Sequence, residues 1–247
     1  MELSDFFREH PRAALGFSGG VDSSYLLYAA LACGADVRPY YMQTAFQPRF
    51  EREDALRLGR ELHAEVCVLE LDILARPEVA ANPPDRCYAC KRALFGALRD
   101  RAAADGYSLL LDGTNASDDA GDRPGMRALR ELEVRSPLRE CGLTKPEIRR
   151  LSREAGLFTW NKPAYACLAT RVPAGDPLTG ELLNRVEQAE EALFRLGYTD
   201  FRVRVFHGAA RLQLPREQTA RLAEEAELVR RTLRPWFDPV LLDLAGR

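Results

Sequence analysis

The chain has 247 residues, 46% of them hydrophobic, enough to bury a full core in one large domain with room for a smaller one. Its 35 basic and 37 acidic residues nearly cancel, which argues against a general nucleic-acid surface. Met1 to Arg8 carry no basic, apolar leader and no stretch approaches the roughly 18 apolar residues that span a bilayer, so a cytoplasmic protein without a membrane partner is expected.

In chain order, Ala13 to Phe17 reads as a short buried strand that runs through Ser18-Gly19-Gly20-Val21-Asp22-Ser23-Ser24 into a helix from Asp22 to Cys33. The glycine pair allows a sharp turn and a close approach to an anion. The first amides of the helix have no internal partner and lie at the positive end of its dipole. Ser18, Ser23 and Ser24 add hydroxyls, and Asp22 can hold a magnesium ion against the same phosphates. A glycine pair at such a turn also occurs without any ligand. Neither a Walker-type loop nor a Rossmann fingerprint is present.

Strands follow at Val37 to Met42, Glu65 to Leu69 and Ser108 to Asp112, with helices at Arg49 to Leu62 and Arg92 to Ala104 between them. This alternation predicts an α/β fold, a parallel sheet flanked by helices. Ligands of such sheets sit beyond the carboxyl ends of the strands, at Ser18 to Asp22, Gln43 and Thr44, Asp72, and Asp112-Gly113-Thr114-Asn115. Two long turn-rich connections, Arg76 to Lys91 and Gly113 to Arg127, interrupt the pattern, and a third irregular stretch runs from Phe158 to Leu178. Between them Lys145 to Ala155 reads as a helix capped by Thr144.

From about Asp176 the order becomes helix, strand, strand, helix, strand: Gly180 to Leu196, Phe201 to Phe206, Ala210 to Leu214, Glu217 to Leu233 and Val240 to Leu244. The expected organisation is a first domain over residues 1–165 and a small α+β domain over 176–247. Strand period puts Arg202 and Arg204 on one face, where an anion would relieve their repulsion and where a solvated surface is the bland alternative.

Six cysteines in a chain of this kind argue for metal binding or reactive chemistry over a disulfide framework. Cys33 and Cys67 read as buried thiols, and Cys141 as an ordinary one. Cys87-x-x-Cys90 is compact enough to share a metal, with Cys167 as a remote third thiol expected near the mouth of the nucleotide site. Iron–sulfur ligation and zinc or redox pairing both stay open, because three thiolates do not by ligand type separate iron–sulfur from zinc.

The Ser18 to Ser23 stretch resembles the Ser-Gly-Gly-x-Asp-Ser loop of the ATP pyrophosphatase (PP-loop) enzymes. Taken with Asn82 to Lys91, Asp112-Gly113-Thr114-Asn115, Asp122-Arg123-Pro124-Gly125, Ser136-Pro137-Leu138, Lys162-Pro163-Ala164, Cys167-Leu168-Ala169-Thr170-Arg171 and Arg202-Val203-Arg204, the chain resembles the LarE family of PP-loop sulfurtransferases. That resemblance implies ATP-dependent, AMP-forming adenylylation of the carboxylates of a pyridinium bis-carboxylic acid mononucleotide. They are then converted to thiocarboxylates for a nickel-pincer cofactor. It implies nucleotide contacts from Phe17, Ser18, Gly19, Gly20, Val21, Asp22, Ser23, Met42, Gly113, Thr114 and Arg123, with Mg²⁺ on Asp22. Arg171, Arg202 and Arg204 would take the substrate phosphate, and subunits would assemble as a hexamer. Sulfur would come through an oxygen-sensitive [4Fe-4S] cluster on Cys87, Cys90 and Cys167, or in another branch of the family from Cys167 alone. Two positions depart from the family pattern, Gln213 where glutamate is expected and Thr170 where serine is usual. No glutaminase-like segment remains to feed an amidating enzyme, and transfer-RNA thiolation is the nearest rival function.

Overall fold

Leu15 is fully buried at the centre of a parallel sheet because its strand is apolar on both faces. The computed structural model describes residues 2–118 and 124–247. The sequence runs α1 (Leu3–Glu9), β1 (Arg12–Gly16), α2 (Val21–Ala32), β2 (Asp36–Gln43), α3 (Arg49–Glu61), β3 (Cys67–Glu70), the short α4 (Pro77–Ala80) and α5 (Arg86–Ala104). It continues through β4 (Leu110–Leu111), α6 (Pro124–Glu131), α7 (Pro137–Glu140), α8 (Lys145–Glu154) and α9 (Gly180–Arg195) to β5 (Arg202–Phe206) and β6 (Ala209–Gln213). The chain closes with α10 (Thr219–Glu224), α11 (Ala226–Leu233) and β7 (Val240–Leu242). It divides into two compact units, one of residues up to Ile73 with Asp85–Lys162, the other of Leu74–Pro84 with Pro163–Arg247.

In the first unit the strand order is β3-β2-β1-β4, all parallel. Successive residues of β1 feed opposite layers: Ala13 and Leu15 pack with Leu26, Leu58, Leu138 and Ile148, while Ala14 packs with Phe95, Leu98 and Leu129. The chain leaves β1 for β2 on one side and reaches β4 on the other. The strand order therefore reverses at β1, and a crevice opens beyond the carboxyl ends of β1 and β4. Arg135 extends the sheet by one bridge to Leu111.

The second unit holds a three-stranded mixed sheet, β5-β6-β7, with β5 antiparallel and β7 parallel to β6. Val186, Ala189 and Leu193 form the buried stripe of α9. The 74–84 strap is stitched to this unit by Asn82, whose backbone is left-handed (φ 52°) and whose side-chain amide donates to Pro173 O at 2.8 Å.

Several boundaries differ from expectation. Helix α5 begins at Arg86 rather than Arg92, with Asp85 at its N-cap right after Pro83-Pro84, so Cys87 and Cys90 stand on helix and not in a loop. The expected helix from Glu217 to Leu233 is broken at Glu225, whose carboxylate takes the Tyr198 hydroxyl at 2.8 Å. Cys33 is exposed, not buried, because α2 ends there and Gly34 (φ 75°) turns the chain to solvent. Cys67 is half-buried.

Helix α8 starts in a capping box, with Thr144 N–H donating to Glu147 Oε2 at 2.9 Å and the Thr144 hydroxyl serving the N3 amide. Thr144→Ala should cost about 1 kcal/mol of unfolding free energy with an unchanged denaturant slope. A urea titration that finds no shift of midpoint would show the cap to be idle.

Candidate functional site

The loop after β1 folds back on its own serine hydroxyls and packs tightly on α3. Gly19 has φ +67° and approaches α3 so closely that a Cβ there would lie 2.9 Å from Ala55 Cα. Ser18 Oγ and Ser23 Oγ are 3.1 Å apart, the Ser18 amide donates to Ser23 Oγ at 3.3 Å and the Gly20 amide to Ser18 Oγ at 3.3 Å. Facing this loop, the turn after β4 brings Gly113 against the first turn of α2, where a Cβ would stand 3.0 Å from Ser23 N. Asp112 fastens that turn, taking the Thr114 amide at 3.2 Å and the Ser136 hydroxyl at 2.6 Å. Phe17 and Val21 are buried beneath the loop and Met42 packs in the layer around Tyr40. Arg123 lies outside the described residues.

Asp22 stands in the first turn of α2. Its Oδ2 accepts from Lys145 Nζ at 2.6 Å, and its Oδ1 is buried without a partner. Burial raises the Asp22 pKa above the ordinary carboxylate value, the Lys145 hydrogen bond and charge opposing it and Asp118 adding to it. Magnesium takes oxygen ligands and keeps several waters. A carboxylate with one dry, uncommitted oxygen beside free helix amides suits a magnesium-bridged phosphate. Lys162 is the second cation at this loop, 2.8 Å from Asp54 and 3.5 Å from Gly19 O. Arg149 holds it in place by donating to Lys162 O at 2.8 Å and Trp160 O at 2.9 Å. The sequence reading missed Lys145, and the available signal was a cation in the first turn of a helix, the end where the dipole disfavours one.

Cys87 and Cys90 occupy adjacent turns of α5, one helical step apart on the same face. Cys87 is exposed, and Arg86, itself buried, donates to its Sγ at 3.5 Å. Cys167 belongs to the second unit and is half-buried. No group of three or more His, Cys, Asp or Glu side chains that could hold a metal ion occurs among the described residues.

In the second unit Arg171 is fully buried at the end of the 3₁₀ turn Leu168–Arg171 that follows Cys167. It forms a two-point ion pair with Glu190, Nε to Oε1 at 2.9 Å and Nη2 to Oε2 at 3.0 Å. Its Nη1 donates to Cys167 O at 3.3 Å, to Thr170 Oγ1 at 3.1 Å and to Ala166 O. Burial opposes the Arg171 charge, but the Glu190 hydrogen bonds and charge outweigh it and raise its pKa. The Arg171 donors thus go to Glu190 and to the backbone that presents Cys167. Glu190 also takes the Val203 amide at 2.9 Å and the Tyr165 hydroxyl, so it ties α9 to β5 and to the Cys167 segment.

Arg202 and Arg204 do share a face of β5. Arg202 donates to Phe201 O at 2.7 Å and Ala164 O at 2.6 Å, and Arg204 to Thr170 O at 2.6 Å and to Gln213 Oε1. All four acceptors are neutral. The pKa of each is pulled down by burial and then by the Arg171 charge, with Arg211 adding to the effect on Arg204. Arg202 is buried and Arg204 half-buried, and the acceptors that hold their guanidinium groups supply no countercharge.

No family model matches the chain. It is 35% identical over 238 residues to pyridinium-3,5-bisthiocarboxylic acid mononucleotide synthase of Lactiplantibacillus plantarum, spanning 95% of this chain and 86% of that protein. An uncharacterized protein of Synechocystis sp. is 39% identical over 250 residues, 99% of this chain and 92% of its own length. The tRNA-specific 2-thiouridylase MnmA of Thermotoga sp. is 23% identical over 193 residues, 61% of this chain and 54% of that enzyme.

Glu190→Ala should strand the buried Arg171 charge and cost about 3–5 kcal/mol in urea unfolding. Glu190→Gln, which can still accept from Arg171, should cost less. A loss under about 1 kcal/mol for the alanine variant, the scale of an exposed ion pair, would contradict the reading.

Proposed function

The chain belongs to the LarE family of ATP-using PP-loop sulfurtransferases, and from that premise we propose that it converts the carboxylates of a pyridinium bis-carboxylic acid mononucleotide to thiocarboxylates, as the name of its Lactiplantibacillus plantarum relative states for that protein. The observation that carries the reading is the loop after β1, where Gly19, the serine hydroxyls, the amides opening α2 and the half-committed Asp22 carboxylate gather at the strand-order reversal.

A carboxylate is a poor electrophile. Attack of its oxygen on the α-phosphorus of ATP forms a mixed anhydride with AMP and releases pyrophosphate. The negative charge that develops on pyrophosphate falls to the α2 amides, Ser18, Ser23 and Lys145, with a magnesium ion on Asp22 supplying further charge when bound. A sulfur nucleophile then attacks the activated carbonyl and AMP leaves with the electron pair, which gives the thiocarboxylate. Arg202 and Arg204 anchor the substrate phosphate, while Arg171 positions Cys167 through the carbonyls of Ala166 and Cys167. The helical placement of Cys87 and Cys90, one turn apart, supports a shared ligand, and this is the pair that a [4Fe-4S] cluster able to carry sulfide would use. Donation of sulfur by Cys167 itself is the second reading, favoured by the hydrogen bonds that present its backbone. Transfer-RNA thiolation draws on the MnmA likeness alone and meets a net charge of −2. No described helix is long and apolar enough to cross a membrane.

With the pyridinium mononucleotide present, ATP should yield AMP and pyrophosphate, and Asp22→Ala should lower turnover by about 10²-fold or more. Release of ADP and phosphate, or salt-sensitive binding of transfer RNA in place of the mononucleotide, would overturn the assignment. Anaerobic purification with iron and sulfide analysis decides the sulfur source. Iron bound by wild type and lost in Cys87→Ser supports the cluster, and a Cys167 that loses the elements of hydrogen sulfide in an iron-free protein supports sacrifice.

A further inference from the structure

Lys145 is placed at a cost. It is the first residue of α8, where the helix dipole works against a cation, yet its backbone is pinned there by the Thr144 cap and by its own amide donating to Ser117 Oγ at 2.9 Å. The side chain crosses to α2 and sets its ammonium on Asp22 Oδ2. The other carboxylate oxygen, Oδ1, is left dry and without a partner. A buried carboxylate oxygen that nothing satisfies is expensive to keep, so one held beside a cation marks a group with a second cation to receive. Lys162 differs on this point. Its carboxylate, Asp54, lies on α3 outside the loop, so that pair blocks nothing in the loop itself.

We propose that Lys145 is an exchangeable counter-ion of the loop: it holds Asp22 while the site is empty, and it passes to the phosphate oxygens when a divalent cation takes Asp22 together with a bound polyphosphate. This rests on reading the Ser18 to Ser23 loop as a pyrophosphate site. No covalent bond changes. The lysine exchanges one anionic oxygen for another, and the metal takes the carboxylate that the lysine gives up. Lysine suits this role, being a compact charge with three rotatable donors on a flexible stem, whereas the rigid guanidinium fork of arginine would bind the carboxylate through two points. The lysine has an acceptor to move to only when the phosphate is present. Metal alone must therefore displace it into no partner, while metal and phosphate arriving together each make room for the other.

The test is calorimetry on the full chain with Mn²⁺ alone and with inorganic pyrophosphate in excess Mg²⁺, using no sulfur-acceptor substrate. In Lys145→Met, affinity for Mn²⁺ alone should rise, because its competitor is gone. Affinity for pyrophosphate should fall by roughly 5- to 150-fold, the usual span of coupling between two sites. Lys145→Gln gives the same reading should the methionine variant fail to fold. If both affinities fall together, Lys145 only keeps Asp22 in position and the proposal is overturned. It is equally overturned if neither changes, which makes the pair a surface contact. Wild-type protein that binds no pyrophosphate at all would instead sink the reading of the loop, a result distinct from wild type binding it and the variants matching wild type.

Discussion

The approach of the turn after β4 to the first turn of α2 is the contact on which the first unit's chemistry depends. With no Cβ at Gly113, the Asp112-Gly113-Thr114-Asn115 turn can lie against Ser23 N; a methyl group would stand 3.0 Å from that nitrogen. The close packing places the β4 turn beside the glycine loop without capping the helix amides, which stay available to an anion. Topology supplies the rest. Because strand order reverses at β1, the two loops diverge to opposite layers and leave a crevice that neither has to fill.

The second unit solves a different electrostatic problem. Arg171, Arg202, Arg204 and Arg211 gather near one end of its sheet, and the carboxylates that answer them are Glu190 and Asp243. Both Glu190 oxygens pair with Arg171 while also taking the Val203 amide and the Tyr165 hydroxyl, so the most buried charge is neutralised inside the fold and becomes a pillar under Cys167. Arg202 and Arg204 are left with neutral acceptors, and Tyr165 lies between Arg171 and Arg202, its ring centroid 4.4 Å and 5.2 Å from their guanidinium carbons. A ring face offers partial compensation to a cation without consuming its hydrogen bonds. The excess positive charge is thus concentrated at Arg202 and Arg204.

Much of this was legible in local pattern. The strand, glycine pair and hydroxyl-rich helix start occur in one stretch, so their joint geometry follows from chain order, and the period of β5 alone aligned Arg202 with Arg204. Contacts between distant segments were not legible. Asp22 and Lys145 are 123 residues apart, and no pattern in either neighbourhood specifies the partner. Glu190 was missed although a signal existed. It falls among Val186, Ala189 and Leu193 on the apolar stripe of α9, and a carboxylate on a buried stripe demands a cation. The early start of α5 was hidden by Pro83-Pro84, which reads as a loop, and Asp85 at the N-cap position makes no side-chain capping bond that would mark the start.

Gln213 shows how one atom exchange sets the charge of such a site. Its Oε1 accepts from Arg204 Nε and its Nε2 donates to Asp243 Oδ2 at 2.7 Å, the only sense of the amide that satisfies both neighbours. The amide therefore links Arg204 to Asp243 without transferring any countercharge to the arginine. Asp243 itself is occupied by Arg211 at 3.4 Å, and its pKa is held low first by the Gln213 hydrogen bond and then by the Ala245 amide. A glutamate at this position would neutralise Arg204 and press a second carboxylate on Asp243, at once weakening the demand for an external anion and creating a site that asks for a cation. With glutamine the fold keeps the orienting hydrogen bonds and leaves the positive charge of Arg204 uncompensated by this neighbour.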